Sequence, residues 1–195
     1  FLRSKVAAQR RQEKQMWQRV FAQEQQEEAQ RKQSAQPVSA NDLASEKGVD
    51  YTRLSQLLQA GQWKEADQET ADRMCEVMGR QTGGWLRVED IQNFPCTDLR
   101  TIDHLWVTHS QGKFGFSVQK KIWQECGSPT EYNSDWEKFG DLVGWRRGGE
   151  WLEYSDLNPP LSSPQGNFPV RPFFRFRPVR RVVSKLCSLL SRPDL

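Results

Sequence analysis

From Leu54 to Leu190 the apolar residues recur at three- and four-residue intervals in short pieces, and no stretch alternates over four to eight residues. That pattern excludes a sheet-based core. Leu54, Leu57 and Leu58 share one helical face, with Gly61 as the stop after them. Trp63, Ala66, Thr70, Met74, Val77 and Met78 continue the period to a Gly83-Gly84 turn. Thr97 or Asp98 can cap a helix carrying Leu99, Ile102, Leu105, Trp106 and His109. Val118, Ile122 and Cys126 mark another, and Ser134 to Glu137 has capping-box spacing ahead of Trp136, Phe139 and Val143. Val179, Val182, Val183, Leu186 and Leu190 give the cleanest stripe. The expected class is therefore all-α, a compact domain of short helices with long loops.

The N-terminal part differs in kind. Residues 3–33 are rich in Gln, Arg, Glu, Lys and Ala without Gly or Pro, which predicts an extended helical arm over 1–33. Its apolar stripe, Leu2, Val6, Met16, Trp17, Val20 and Phe21, is too narrow to fold alone but wide enough to dock on a partner or act as a solvated spacer. Residues 34–47 read as a linker, and 48–195 as the folded domain. Charge follows the same division: residues 1–33 carry eight Lys/Arg against four Asp/Glu, and residues 161–195 carry seven against one. With a net charge of only +3, the body between these basic ends is acidic. No apolar run reaches the roughly 18–20 residues that cross a bilayer. Phe1 to Lys5 would suit either the end of an upstream membrane span with its basic flank or a processing boundary.

Signals of catalysis are scarce. The chain has no P-loop, dinucleotide fingerprint, H-E-x-x-H or G-x-S-x-G. His104 and His109 would lie about 140° apart around a helix and cannot easily chelate one metal. Cys75, Cys96, Cys126 and Cys187 have no zinc spacing and are expected as reduced, mostly buried thiols. Asp98, Arg100 and Asp103 are explained by capping and an ion pair. The unusual stretch lies between Pro159 and Pro178, where prolines alternate with Phe168, Phe173, Phe174, Phe176 and with Arg171, Arg175, Arg177. Such a loop can cover a flat anionic ligand, dock on a protein or membrane surface, or stack single-stranded bases. Composition alone favours docking.

Several ordered blocks add a resemblance. Asp50 to Leu54, Gly61 to Thr70, Phe94 to Asp103 with Leu105-Trp106, Gly112 to Gln119, and Val143 to Arg146 with Glu150 to Leu152 resemble the genomes uncoupled four family over about three quarters of the chain. The resemblance implies an all-helical domain that cradles protoporphyrin IX or Mg-protoporphyrin IX non-covalently in a groove beneath long loops. It further implies a non-catalytic protein that activates magnesium chelatase in chlorophyll biosynthesis through the chelatase's large porphyrin-binding subunit. Groove positions carry over to Phe94, Phe114, Phe116 and Trp145, with the loop contributing Phe168, Arg171, Phe173, Phe174 and Arg175. Asn167 and Phe168 stand where the family pattern has His and Leu before the proline. The implied setting is a cyanobacterial cytoplasm or plastid stroma. The resemblance omits the N-terminal helix, whose Met16, Trp17, Val20 and Phe21 stripe is by itself the reason to expect a tether to a membrane-associated photosynthetic partner at the thylakoid. A structural or tethering subunit of a photosynthetic membrane complex is the alternative, and nucleic acid is not an expected partner.

Overall fold

The computed structural model describes residues 40–157, 163–174 and 179–195. The expected arm over 1–33, the first part of the linker, Arg175 and Phe176 lie outside the described residues, as does the Phe174 side chain. Among the described residues eight α-helices follow in order: α1 Thr52–Gln59, α2 Trp63–Val77, α3 Val88–Gln92, α4 Cys96–His109, α5 Phe116–Glu125, α6 Ser134–Leu142, α7 Arg171–Phe174 and α8 Val179–Leu190. Helix α1 ends where Gly61 takes φ +70°, which lets the Gln62 amide donate back to the Leu57 carbonyl at 2.9 Å. The helical class follows directly from the apolar stripes, since Leu54, Leu58, Trp63, Ala66, Met74, Leu99, Ile102, Leu105, Trp106 and Leu186 are all buried in one core.

Packing brings α2 against both α1 and α7, α4 against α1 and α5, and α8 against α3 and α5. The C-terminal end is fastened by Arg192, which donates to the Ile91 carbonyl at 2.8 Å and pairs with Asp194 at 2.7 Å. The one sheet among the described residues is a hairpin, β1 Arg146–Arg147 with β2 Glu150–Trp151, in the register Arg146 opposite Trp151. Gly148 and Gly149, at φ +60° and +88°, form its two-residue turn, a conformation two consecutive glycines adopt without steric cost. Two residues per strand are too few to show alternation, so periodicity could not reveal it.

Local expectations shift at two helix starts. The cap of α6 is Asn133, whose side chain accepts from the Trp136 amide at 2.9 Å, one residue before the expected Ser134. At α4, Asp98 is not a cap. It is fully buried and accepts from the Tyr51 hydroxyl (2.8 Å), the Glu46 amide (3.0 Å) and the Ser45 hydroxyl. Thr101 donates to the Ala44 carbonyl at 2.7 Å. Residues 44–46 are thereby bonded to α4, although their Ser- and Ala-rich composition reads as linker. Arg100 reaches the Asp194 carbonyl at 3.2 Å rather than an acid on its own helix.

Candidate functional site: an aromatic, cation-edged groove beside a clamped loop

Residues 163–174 cross the helices as an inner strap. It is tied to the rest of the domain by residues far away in sequence. Gln119 Nε2 donates to the Gly166 and Pro169 carbonyls at 3.0 and 2.8 Å. Trp145 Nε1 donates to the Asn167 carbonyl at 2.8 Å, and Asn167 Nδ2 donates to the Val143 carbonyl at 2.7 Å. The Gly115 amide donates to the Phe168 carbonyl (2.9 Å) and the Gly166 amide to the Lys113 carbonyl (2.9 Å). Asp67 accepts from the Val170 and Arg171 amides at 2.8 and 3.0 Å. A proline-rich segment has few internal hydrogen bonds, so burying it requires such partners.

This strap decides where the sequence-derived site residues fall. Phe168 stacks parallel to Trp106, centroids 6.1 Å apart and planes 6° apart, while Phe114 meets both Phe168 and Trp63 edge-on. Phe173 packs edge-on to Phe116 at 6.0 Å, and Trp145 sits edge-on to Phe139 at 5.6 Å. Phe94, Phe114, Phe116, Trp145, Phe168 and Phe173 are thus core residues, buried against one another rather than presented along a groove. The reason is size: eight Trp and ten Phe exceed what a groove can use, and a core of short helices takes the large rings first.

Of the expected set, Arg171 reaches the surface. It is half-buried, with its guanidinium 4.7 Å above the Tyr154 ring. Beside it lies an open hollow of about 330 Å³ lined by Lys64, Gln68, Tyr154 and Arg171 among others. On the other side of Arg171 and Pro172 a narrower depression reaches Trp85 and Leu86. Trp85 is 41% exposed, with Lys185 Nζ 5.2 Å and Arg87 Cζ 5.9 Å from its ring. Lys64 holds the Ser155 carbonyl at 3.3 Å. Arg53 at the far rim is paired with Glu69 at 3.2 Å. Together the two depressions, which share Gln68 and Arg171, make one groove. Its Tyr154 end mixes cations with the carboxylates Glu65, Glu69 and Asp72, and its Trp85 end, with Arg87 and Lys185 at the exposed ring, is the part suited to a flat anion. Trp85, Tyr154, Arg87 and Lys185 were not singled out from the sequence. Trp85 had a signal: a tryptophan after a Gly-Gly turn belongs to no helical stripe.

Asp67 lies under this groove, wholly buried. Burial pushes its carboxyl up to about 7, against the opposing pull of the Arg171 and Val170 amides, the Tyr154 hydroxyl and the Arg171 charge. A raised acid favours folding in its protonated form. That contribution is complete below the ordinary carboxylate range and is lost as pH rises through about 7.

Other polar groups make no comparable site. A second hollow, of about 380 Å³, is lined by Asp42, Thr97, Arg100, Thr101 and His104, with His104 3.6 Å from Asp42 and no aromatic wall. His109 is buried, its Nε2 3.4 Å from the Ser55 hydroxyl. The described residues contain no metal-binding cluster and no helix long and apolar enough to cross a membrane. All four cysteines are free, and all but Cys96 are buried.

A helical domain with an aromatic core, a clamped strap and a cation-edged surface groove defines a small-molecule or partner-binding module. The family model described as GUN4-like matches residues 44–186, and the chain belongs to that family. It is 36% identical over 137 residues to a Ycf53-like protein of Synechocystis, covering 69% of this chain and 56% of that protein. The chain therefore spans about half the length of that relative. It is 31% identical over 87 residues to the chloroplastic tetrapyrrole-binding protein of Arabidopsis thaliana, covering 44% of this chain and 31% of that one. In fold it is similar to the structure of GUN4 from Chlamydomonas reinhardtii, with a TM-score of 0.66, 24% identity, and coverage of 85% of this chain and 96% of that one. The motif blocks that suggested this family did so correctly.

Proposed function

We propose that this domain binds a dicarboxylic tetrapyrrole, protoporphyrin IX or its magnesium complex, non-covalently in the groove between Trp85 and Tyr154. The observation that carries the reading is the exposed Trp85 indole flanked by two cations, with Arg171 one step away along the same surface. A tetrapyrrole offers a flat apolar face to the indole and carboxylates to the cations. The Arabidopsis relative's name, a tetrapyrrole-binding protein, supports the same ligand class. Covering roughly 300–400 Å² of apolar surface gives about 8–10 kcal/mol gross. Ordering and lost freedom remove several kcal/mol, which leaves roughly micromolar affinity.

In this reading the protein is not itself a catalyst. It activates magnesium chelatase by presenting the porphyrin to the chelatase's large porphyrin-binding subunit, in a cyanobacterial cytoplasm or plastid stroma. Titration with protoporphyrin IX should quench tryptophan fluorescence to saturation. Trp85→Ala and Arg171→Ala should each weaken binding by about 1–2 kcal/mol while unfolding at nearly the wild-type denaturant midpoint. Purified chelatase should insert magnesium faster when the protein is added, and the protein alone should insert none. Quenching that fails to saturate by tens of micromolar, an order-of-magnitude limit from affinity arithmetic, would overturn the ligand assignment.

A further inference from the structure

The carboxylate of Asp67 connects the strap to the groove at one point. Its Oδ1 accepts from both the Val170 and Arg171 amides, about a hundred residues away in sequence, and no part of it is exposed. Those two amides open α7. Their position determines where the Arg171 guanidinium sits over Tyr154, and Arg171 lines both the 330 Å³ hollow and the depression toward Trp85. The groups that face Asp67 are Tyr154, from the turn after β2, and Arg171 of α7. The hollow above adds Arg53 of α1 and Lys64, Glu65, Glu69 and Asp72 of α2.

We propose that Asp67 is a positioning residue for the anionic ligand: it fixes the α7 backbone so that Arg171 faces the groove, and it takes up a proton when a ligand carboxylate reaches Arg171. This inference rests on the tetrapyrrole reading. The coupling runs through Arg171, whose backbone amide Asp67 holds and whose charge pulls the Asp67 carboxyl down; a ligand carboxylate that pairs with the guanidinium weakens that pull. Two anions beside one cation disfavour each other, and the buried one gives way by protonation.

The pH window follows. Burial already holds the Asp67 carboxyl up at about 7. Burial first, and then Asp67 itself, raise the Tyr154 hydroxyl well above its ordinary range, so Tyr154 stays neutral there. On the acid side of that window Asp67 is neutral and the Arg171 charge is free for the ligand. On the basic side the ionised Asp67 competes for it. Affinity for a dicarboxylate therefore rises as pH falls, and by reciprocity binding draws in a proton.

The test uses the full chain and deuteroporphyrin IX, a soluble dicarboxylic porphyrin. Affinity is read by tryptophan quenching from one unit below to one unit above neutrality, with calorimetry in two buffers of different ionisation heat. Wild type should lose affinity on the order of 5-fold across the window and show net proton uptake. Asp67→Asn keeps an acceptor for the two amides but cannot ionise. It should bind at the wild-type acid-side affinity with a flatter profile and no uptake, the ligand's own titration being common to both proteins. A purely structural Asp67 would lower the denaturation midpoint and leave the pH slope in place. Saturable binding by wild type with a flat profile and no proton uptake overturns the Asp67 assignment alone. Failure to saturate at any pH overturns the tetrapyrrole reading and this inference with it. Should Asp67→Asn not fold, the wild-type proton count decides: net uptake on binding supports the assignment and its absence overturns it.

Discussion

Phe168→Ala should destabilise the domain by about 3–5 kcal/mol, the usual cost of removing a buried aromatic ring from a packed core. The ring lies flat on Trp106 and edge-on to Phe114, and its own carbonyl receives the Gly115 amide. Removing it leaves a cavity beside Trp106 of α4 and Phe114 of the Gly112–Gly115 turn, and Trp63 of α2 packs against both of those rings, so little collapse can refill the space. Urea denaturation followed by tryptophan fluorescence measures the loss, and near-UV circular dichroism should weaken as Trp106 loses its stacked neighbour. The result also separates two roles for this position. A groove residue would lose ligand affinity at constant stability, whereas a core residue loses stability first. An unchanged denaturation midpoint with weakened porphyrin binding would return Phe168 to the groove.

Gly115→Ala should cost about 3–5 kcal/mol, from backbone strain and overpacking together. Gly115 precedes α5 at φ +135° and ψ 158°, a region open essentially to glycine. A Cβ there would stand 2.7 Å from Val107 Cγ2 and 2.9 Å from Asp103 Oδ1. Neither can withdraw cheaply. Val107 belongs to α4, and Asp103 accepts from the Ser117 amide at 2.9 Å, serving the start of α5 as a cap supplied from another helix. Burial raises the Asp103 carboxyl despite that hydrogen bond, as expected of a half-buried acid in this role. Gly148→Ala is the control, because Gly148 has φ +60° but nothing within 4 Å of the added carbon. It should cost only about 1–2 kcal/mol, the backbone contribution alone. Equal midpoints for the two variants would show that the close approach at Gly115 is relieved by a shift of α4.

Six of the eight described helices, their order and the family were legible before any tertiary information; α3 and α7 were not, being too short to show a stripe, and Arg171–Phe174 reads as loop. Leu54, Leu58, Met74, Leu105 and Leu186 lie on stripes whose spacing admits only a helix buried on one side, and all five are buried. The blocks around Gly112 to Gln119 and Phe94 to Asp103 are local strings, so their match to a family requires no knowledge of contacts.

The site was legible only in part. Composition marks the Phe/Arg/Pro segment as exceptional but carries no sign of which way each ring faces. Phe168 turns inward because Gln119, Trp145 and Asp67 satisfy the strap's backbone from three different helices or their ends, and those partners are about 20 to 100 residues away. Arg171 emerges at the surface, just beyond the last of these tethers. Trp85 and Tyr154 become neighbours of one groove only after α7 is laid across α2. Periodicity reports what a residue does within its own helix, so it identified the helices and their buried faces. Which side chains bound the groove depends on hydrogen bonds and ring contacts between distant segments, and a short-range pattern does not encode these.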